Sequence, residues 1–320
     1  MEAPSQTTGE TQAWPSTAFV RLFWACAAYV MVCTLVLLTN LSQPLANLLT
    51  GSRGLGAVVG FLSVAVIMGL QLWIIYEESA LRPSIANALK AAALLGVLGF
   101  LMPRLASRLF GSAVYALVLS PWRNLFLLLA AVSIGLVVAR AMKDAAMLMP
   151  AVVVAAMVDF WGVYFGSTLY FVTTSPKLVQ GVSVFVPTVA NVVPSSLIGP
   201  GDFVFLGVFA ASLHHFRLQV RKTFVAFFVL LTLSLVLLQI APEQWNLSIP
   251  GLVPMAIAVL WVNGRRVKLS RGEAYATGYA VAGVAALLVF ITWMGAFALS
   301  TAKHGHGATE SPVPQTQPTK

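Results

Sequence analysis

The sequence predicts an all-α protein that crosses a membrane many times, with nine to ten transmembrane helices. Of its 320 residues, 59% are hydrophobic and only 9% are charged, whereas soluble domains carry about 25% charged residues. Apolar runs long enough to cross a bilayer recur from end to end, and backbone in lipid must be helical or closed into a barrel. We therefore expect an integral multi-pass membrane protein, with the lipid bilayer as partner and the cell membrane as its location.

Seven spans are clear in the hydropathy pattern, and three shorter segments decide whether the count is nine or ten. The clear spans cover about residues 17–39, 55–76, 122–140, 146–166, 196–213, 223–241 and 276–299. Pro103-Arg104 splits the stretch from 85 to 120 into two short segments, and a third runs from 250 to 262. The first sixteen residues are polar and lack the Lys or Arg that begins a signal peptide, so we interpret them as a disordered tail.

The net charge of +9 could indicate nucleic-acid binding, but the cations lie in short loops, where they are typical of orientation signals. We expect no nucleic-acid partner. If the span 146–166 starts in the cytoplasm, twelve of the nineteen cations lie inside: Arg53, Arg104, Arg108, Arg140, Lys143, Arg217, Arg221, Lys222, Arg265, Arg266, Lys268 and Arg271. Arg82, Arg123 and Lys177 then lie in outer loops. With ten spans both termini lie outside; the loss of one ambiguous span would move the N-terminus inside.

Two of the three aspartates lie in apolar segments. Asp144 adjoins Lys143 and fits a solvated helix end, whereas Asp159 and Asp202 are surrounded by apolar sequence. A charge at mid-membrane costs about 3 kcal/mol on insertion scales. Hydrogen bonding between helices would account for one such residue, and two in neighbouring spans favour a function.

The two acidic residues are predicted to lie at the same depth. Their spans are antiparallel, and at about 1.5 Å per residue both carboxylates lie roughly 10 Å below the outer surface. Two carboxylates held close cannot both ionise cheaply, so the pair should share one proton and titrate as a unit. That arrangement is typical of aspartic proteolysis, in which one carboxylate takes a proton from water and its protonated partner supports the scissile carbonyl.

Gly199-Pro200-Gly201 stands immediately before Asp202. Irregular backbone at membrane depth is tolerated where it is buried in protein or lines a wet cavity, and hydrolysis inside a membrane requires such a cavity. A simple helix start, with proline in the first turn, would explain Pro200 but not the adjacent carboxylate.

The motif Gly199-Pro200-Gly201-Asp202 resembles the GxGD motif of the presenilin and signal peptide peptidase family of intramembrane aspartyl proteases. Phe203 after it is presenilin-like, and Asp159 matches the family's first aspartate, one span earlier. The aromatic run 160–166 is similar to the one that follows this aspartate in signal peptide peptidases. The family's Pro-Ala-Leu motif opens its ninth span, two spans after GxGD, and Pro250-Gly251-Leu252 stands in that place.

The resemblance implies a presenilin-like fold, catalytic roles for Asp159 and Asp202, and a substrate-positioning role for residues 250–252. It divides the chain into a tail (1–16), N-terminal transmembrane helices (17–145), a catalytic core (146–263), an extra C-terminal helix (264–300) and a disordered tail (301–320). Val158 replaces the family's tyrosine and Gly251 its alanine. The loop 167–195, which the cations place outside, resembles signal peptide peptidases in orientation and implies type II transmembrane helices or remnant signal peptides as substrates.

Several other functions remain open on the sequence alone. Membrane carboxylates and broken helices also occur in ion-coupled transporters, and Val158 is compatible with an inactive, chaperone-like relative. A prepilin-peptidase-like enzyme is disfavoured, because the chain has no CxxC pair and lacks a lysine after Asp202. We expect no cofactor and no metal: Cys26 and Cys33 match no zinc spacing, and His304-Gly-His306 is weak evidence for a ligand pair.

Overall fold

A computed structural model of the chain describes residues 16–165, 181–191, 196–240, 249–267 and 270–306. The main elements, in chain order, are α1 (Ser16–Thr39), α2 (Gln43–Gly51), α3 (Arg53–Leu81), α4 (Ile85–Val114), α5 (Ser120–Ala139), α6 (Leu148–Tyr164), β1 (Val184–Val186), β2 (Ser196–Ile198), α7 (Pro200–His215), α8 (Val220–Ile240), α9 (Leu252–Asn263) and α10 (Arg271–His306).

Seven helices in the described residues are long and apolar enough to cross a membrane, which confirms the predicted class of an all-α polytopic membrane protein. They are Thr17–Thr39, Gly54–Leu81, Ile85–Leu105, Leu117–Ala139, Ala145–Tyr164, Val220–Leu238 and Arg271–Trp293. The apolar helix α9 is shorter, with 12 residues, and α7 has 16. The seven spans carry apolar side chains on most of their surface, as lipid requires.

The predicted division of residues 85–120 at Pro103 is wrong, because α4 passes through this proline without ending. A five-residue π-helical turn, Tyr115–Leu119, then leads into α5. α4 and α5 pack antiparallel: an added Cβ on Gly96 would lie 3.8 Å from Ala130, and one on Gly99 would meet Leu127. The region therefore contributes one spanning helix before α5 instead of two. Proline is tolerated inside membrane helices when neighbouring groups satisfy the backbone that it frees.

Side-chain contacts fix the direction of each long helix. α1 runs antiparallel to α3, since Arg21 pairs with Glu77 at 3.4 Å and Tyr29 accepts a hydrogen bond from Gln71 at 3.5 Å. α8 and α9 are antiparallel as well, because Asn263, at the end of α9, donates to Thr223, at the start of α8.

Two further pairs are parallel. Added Cβ atoms on Gly135 and Gly207 would collide with the facing helix, at 2.2 Å from the Val204 carbonyl oxygen and 2.8 Å from the Val132 carbonyl oxygen. α5 and α7 thus touch backbone to backbone through these two glycines. Their direction follows from their ends, because Ser212 near the end of α7 contacts Met142 just after α5, and the start of α5 contacts the strands that lead into α7. α6 and α10 are joined by a 2.7 Å hydrogen bond from Trp161 Nε1 to Thr292 Oγ1, and Pro150 and Thr277, near the starts of these helices, line one cavity.

One end of the bundle collects most of the described cations, and we call it the arginine end, defined by Arg82, Arg140 and Arg217. Arg82 donates to the His214 carbonyl oxygen at 2.6 Å, and Arg140 donates to the Pro83 carbonyl oxygen. These contacts overturn the prediction that Arg82 and Arg140 lie on opposite sides of the membrane. The error follows from the extra span assigned between residues 85 and 120.

The opposite end carries a small β-hairpin that the sequence analysis did not predict, and we call it the hairpin end. β1 pairs antiparallel with β2, with Val184 opposite Ile198 and Val186 opposite Ser196. Asn124, at the start of α5, donates to the Phe185 carbonyl oxygen at 2.8 Å and accepts from the Phe185 amide. The expected span 196–213 is therefore wrong at its start: three of its residues form a strand, and the helix begins at Pro200.

Several predicted regions lie partly outside the described residues. The N-terminal tail is outside them up to residue 15, and α1 begins at Ser16. Much of the loop 167–195, including Lys177, is also outside them. α10 continues to His306, so the first six residues of the predicted tail 301–320 belong to this helix.

Candidate active site

The segment Gly199-Pro200-Gly201 forms the start of a helix and does not interrupt one. Gly199 is extended, with φ −65° and ψ 148°, and Pro200 is the first residue of α7. The Asp202 amide donates to the Gly199 carbonyl oxygen at 3.2 Å. Proline suits this position because it has no N–H to satisfy and its φ already fits a helix. Asp202 therefore lies in the first turn of α7, directly after the β-hairpin.

Asp159 lies on α6, five residues before the helix ends at Tyr164. Its Oδ2 accepts a hydrogen bond of 2.8 Å from the backbone amide of Leu252. Leu252 is the first residue of α9, and its N–H has no partner within that helix because a first turn leaves its amides free. The carboxylate thus supplies an acceptor that this helix start needs.

Asp202 contacts the same short stretch of backbone. An added Cβ on Gly251 would lie 3.2 Å from Asp202 Oδ1, 3.3 Å from Cγ and 3.5 Å from Oδ2. Both carboxyl groups are half-buried and interact with each other electrostatically. The backbone of Gly251-Leu252 therefore joins the acidic side chains of α6 and α7, which are 43 positions apart in the sequence, at the start of α9.

A cavity of about 370 Å³ adjoins Asp202. It lies between α3, α7, α8 and α9 and reaches β2. Its lining is mostly Leu, Ile, Val and Met side chains, and the polar side chains among the lining residues are Asp202, Gln71 and Ser234. Asp159 does not line it. Such a cavity, apolar with few convergent polar groups, has the usual character of a binding site for an organic ligand.

The other predicted motif residues lie around this junction. Phe203 is buried and lines the cavity, and Pro250 is buried beside Gly251. Gly201 has open space around its Cα. Val158, which stands in place of the family's tyrosine, is 43% exposed and belongs to the outer face of α6. Asp144 lies apart from the pair and caps a short 3₁₀ turn by accepting from the Ala146 amide.

α3 buries three long polar side chains that were not predicted from the sequence. Gln71 is 2% exposed, Glu77 3% and Glu78 7%. Glu78 accepts a 2.8 Å hydrogen bond from Ser133 on α5. The predicted span 55–76 stops just before the two glutamates, whereas α3 continues to Leu81. Extending the predicted span beyond residue 76 would have placed both glutamates inside the membrane bundle. Buried carboxyl groups are rare there without a role, so they would have been candidate functional residues.

No family profile, curated protein or solved structure matches this chain. The interpretation of the site therefore depends on its own geometry. Two half-buried carboxyl groups that converge on one backbone segment beside an apolar cavity can share a proton and can exchange it with a bound water or carbonyl group.

Proposed function

We propose that this protein is an intramembrane aspartyl protease that hydrolyses peptide bonds in transmembrane helices or remnant signal peptides. The observation that carries the proposal is the convergence of Asp159 and Asp202 on Gly251-Leu252. If each carboxylate had only its own structural role, nothing would require both of them to contact the same dipeptide. The segment they meet at is the one that resembles the family's third motif.

The proposed reaction is a general acid–base hydrolysis. One carboxylate accepts a proton from water while the water oxygen bonds to the scissile carbonyl carbon, and the protonated partner donates to the carbonyl oxygen. The tetrahedral intermediate then breaks its C–N bond. The carboxyl group that took the water proton gives it to the amine nitrogen, and a hydroxyl group of the intermediate returns a proton to the other carboxylate as the C=O bond forms again. The Leu252 amide, which donates to Asp159, holds that carboxyl group at the junction.

The cavity beside Asp202 supports a substrate with large apolar side chains, because its lining offers them an apolar surface. A helical substrate has its backbone hydrogen-bonded to itself, so the peptide bond must leave the helix before water can attack. We infer that the unwound segment lies across the Gly251-Leu252 junction, with an apolar side chain in the cavity.

The helix directions support nine membrane crossings: α1, α3, α4, α5, α6, α7, α8, α9 and α10 alternate between the arginine end and the hairpin end. Since cations favour the cytoplasmic side, we propose that the arginine end faces the cytoplasm and that the loop 167–195 faces the outside. We place the whole protein in the cell membrane. The N-terminus then lies inside, opposite to the ten-span expectation. This orientation suits substrates of type II topology. The pair lies on the fifth and sixth crossings, one fewer than the family's motif positions imply.

The decisive experiment is cleavage of a model transmembrane peptide in liposomes. Wild-type protein should release product, and Asp159→Asn and Asp202→Asn should each lower the rate at least about 100-fold, since general acid–base groups contribute that much. Asp144→Asn is the matched control, because this exposed aspartate is outside the pair, and it should cleave at the wild-type rate. Equal rates from all four proteins would refute the proposal.

An ion-coupled transporter is the second candidate, and Glu78 is the observation that favours it. Its Oε2 is buried without a hydrogen-bond partner among the described residues, and intramembrane carboxyl groups of this kind mark ion pathways. Proton-coupled uptake into liposomes that Glu78→Gln abolishes, with no peptide product from wild type, would favour transport over proteolysis.

A further inference from the structure

A groove on the surface of the bundle has the polarity of a phospholipid. α1 and α8 flank α3, and between them opens a cavity of about 530 Å³. We call it the α1–α8 groove, defined by Arg21, Gly69, Trp73, Arg221, Val225 and Phe228. It lies on the opposite face of α3 from α5, Asp202 does not line it, and Leu72 is the lining residue that it shares with the cavity beside Asp202.

Two arginines stand at the arginine end of this groove. Arg21 lies in the second turn of α1, and its side chain is 56% exposed although its Nε lies 3.4 Å from Glu77 Oε2. Arg221 is the second residue of α8, is exposed, and has no ion-pair partner among the described residues. Glu77 is buried and also accepts from Trp73 Nε1 at 3.3 Å. The three charges sum to +1, with the arginines outermost.

The groove becomes apolar toward the middle of the bundle. Gly69 lies eight residues before Glu77 on α3, or roughly 12 Å at 1.5 Å per residue. Its missing side chain admits Phe228, whose Cε2 would lie 3.4 Å from an added Cβ. Val225 is 64% exposed along the same wall. A soluble anion would make no contact with this apolar length, whereas an acyl chain would pack against it through van der Waals contacts.

We propose that the α1–α8 groove binds one anionic phospholipid, with its phosphate between Arg21 and Arg221 and an acyl chain along Gly69 and Val225. Guanidinium groups pair well with phosphate, and basic pockets between transmembrane helices on the cytoplasmic side suit acidic headgroups. The single net positive charge matches the single negative charge of phosphatidylglycerol. The site does not depend on the proposed proteolysis.

Native mass spectrometry tests this directly, with purified protein and an equimolar mixture of phosphatidylglycerol and phosphatidylcholine. Wild-type protein should retain one phosphatidylglycerol in preference to phosphatidylcholine. Arg221→Gln should weaken this binding about fivefold, the effect of losing one exposed ion pair with the phosphate. Lys222→Gln is the matched control: it removes an exposed cation from the next position, outside the groove, and should bind as wild type does.

A second variant, Val225→Trp, keeps every charge and fills the apolar part of the groove, so it should also weaken lipid retention. Arg21 is left intact, because its removal would leave Glu77 buried without its cation. Three results would each overturn the proposal: no preference for the anionic lipid in wild type, equal losses in Arg221→Gln and Lys222→Gln, or full displacement of the lipid by soluble glycerophosphoglycerol.

Discussion

At Gly251 the lack of a side chain leaves room for the Asp202 carboxyl group. An added methyl group would approach three atoms of that carboxyl group at 3.2 to 3.5 Å, and a branched side chain would displace it. We expect Gly251→Val to abolish peptide cleavage and Gly251→Ala to lower it severalfold, because the geometry of acid–base groups must hold to within a fraction of an ångström. The rate of product release in liposomes checks both.

The control for this substitution is Gly283→Val on α10, where an added Cβ meets nothing within 4 Å. It should cleave at the wild-type rate. If Gly251→Val also retained full activity while folding normally, the close contact between this backbone and Asp202 would have no part in the reaction.

The Ser133 hydroxyl group stabilises the buried Glu78 side chain. Ser133→Ala removes the hydrogen bond to Glu78 Oε1 and leaves a carboxyl group with no partner, at a cost of about 1–3 kcal/mol. The midpoint of thermal unfolding in detergent should fall accordingly. Ser63→Ala is the matched control: Ser63 is buried too, but it donates only to the Gly60 carbonyl oxygen of its own helix, so its loss should cost less. A larger loss at Ser63 would contradict this account.

At the scale of whole helices, the crossing of α5 and α7 depends on Gly135. A Cβ there would lie 2.2 Å from the Val204 carbonyl oxygen and 2.8 Å from the Val208 amide, and backbone atoms cannot move aside without separating the helices. Gly135→Ala should therefore destabilise the fold by about 3 kcal/mol or more. Thermal unfolding measures the loss.

Gly96→Ala provides the comparison, because Gly96 also faces a neighbouring helix but its Cβ would make an ordinary contact of 3.8 Å with Ala130. Its unfolding midpoint should stay near that of the wild type. Equal midpoints for the two variants would show that α5 and α7 are not held at this short distance.

Hydropathy predicted the helices well and the irregular elements poorly. Asp202 was expected beside broken backbone because Gly-Pro-Gly disfavours the middle of a helix, and this local chemistry does start α7. The β-hairpin could not be predicted, since its three-residue strands depend on Asn124, about 60 residues earlier in the chain. Strand propensity reflects only residues that are near in sequence, whereas these strands are stabilised by Asn124, which is near only in the folded structure.

The meeting of the two aspartates was predictable from helix length, and the resemblance placed residues 250–252 beside them, but the hydrogen bond from Leu252 to Asp159 was not predictable. Equal depth followed from counting residues in apolar spans. The hydrogen bond from the Leu252 amide involves only backbone atoms, so no residue type in the sequence could reveal it. Their catalytic roles stay predictions until cleavage is measured.

For the whole molecule, the nine-crossing topology makes opposite predictions from the ten-span one. Gln43 is the exposed first residue of α2 at the hairpin end, and Ser84 lies in the loop between α3 and α4 at the arginine end. In a chain with Cys26→Ala and Cys33→Ala, Gln43→Cys should react with an impermeant thiol reagent in intact cells, and Ser84→Cys only after permeabilisation. Val182→Cys is the control, because both topologies place residue 182 outside.

The reverse labelling pattern would restore the ten-span topology. The sequence favoured that topology because hydropathy assigns each span separately. One span too many then reverses the predicted side of the membrane for every loop before it. The contact that corrects the count joins Arg82 to His214, 132 positions later in the chain. Such a pairing exists only once the helices have packed.

The Gly251-Leu252 junction also has a consequence for the order in which the molecule is made. A ribosome delivers Asp159 and Asp202 to the membrane well before it delivers the dipeptide that joins them. An unfinished chain ending before residue 250 carries both acids but lacks the Leu252 amide that Asp159 accepts from. The site is thus completed late in biosynthesis, after most of the bundle is already inserted.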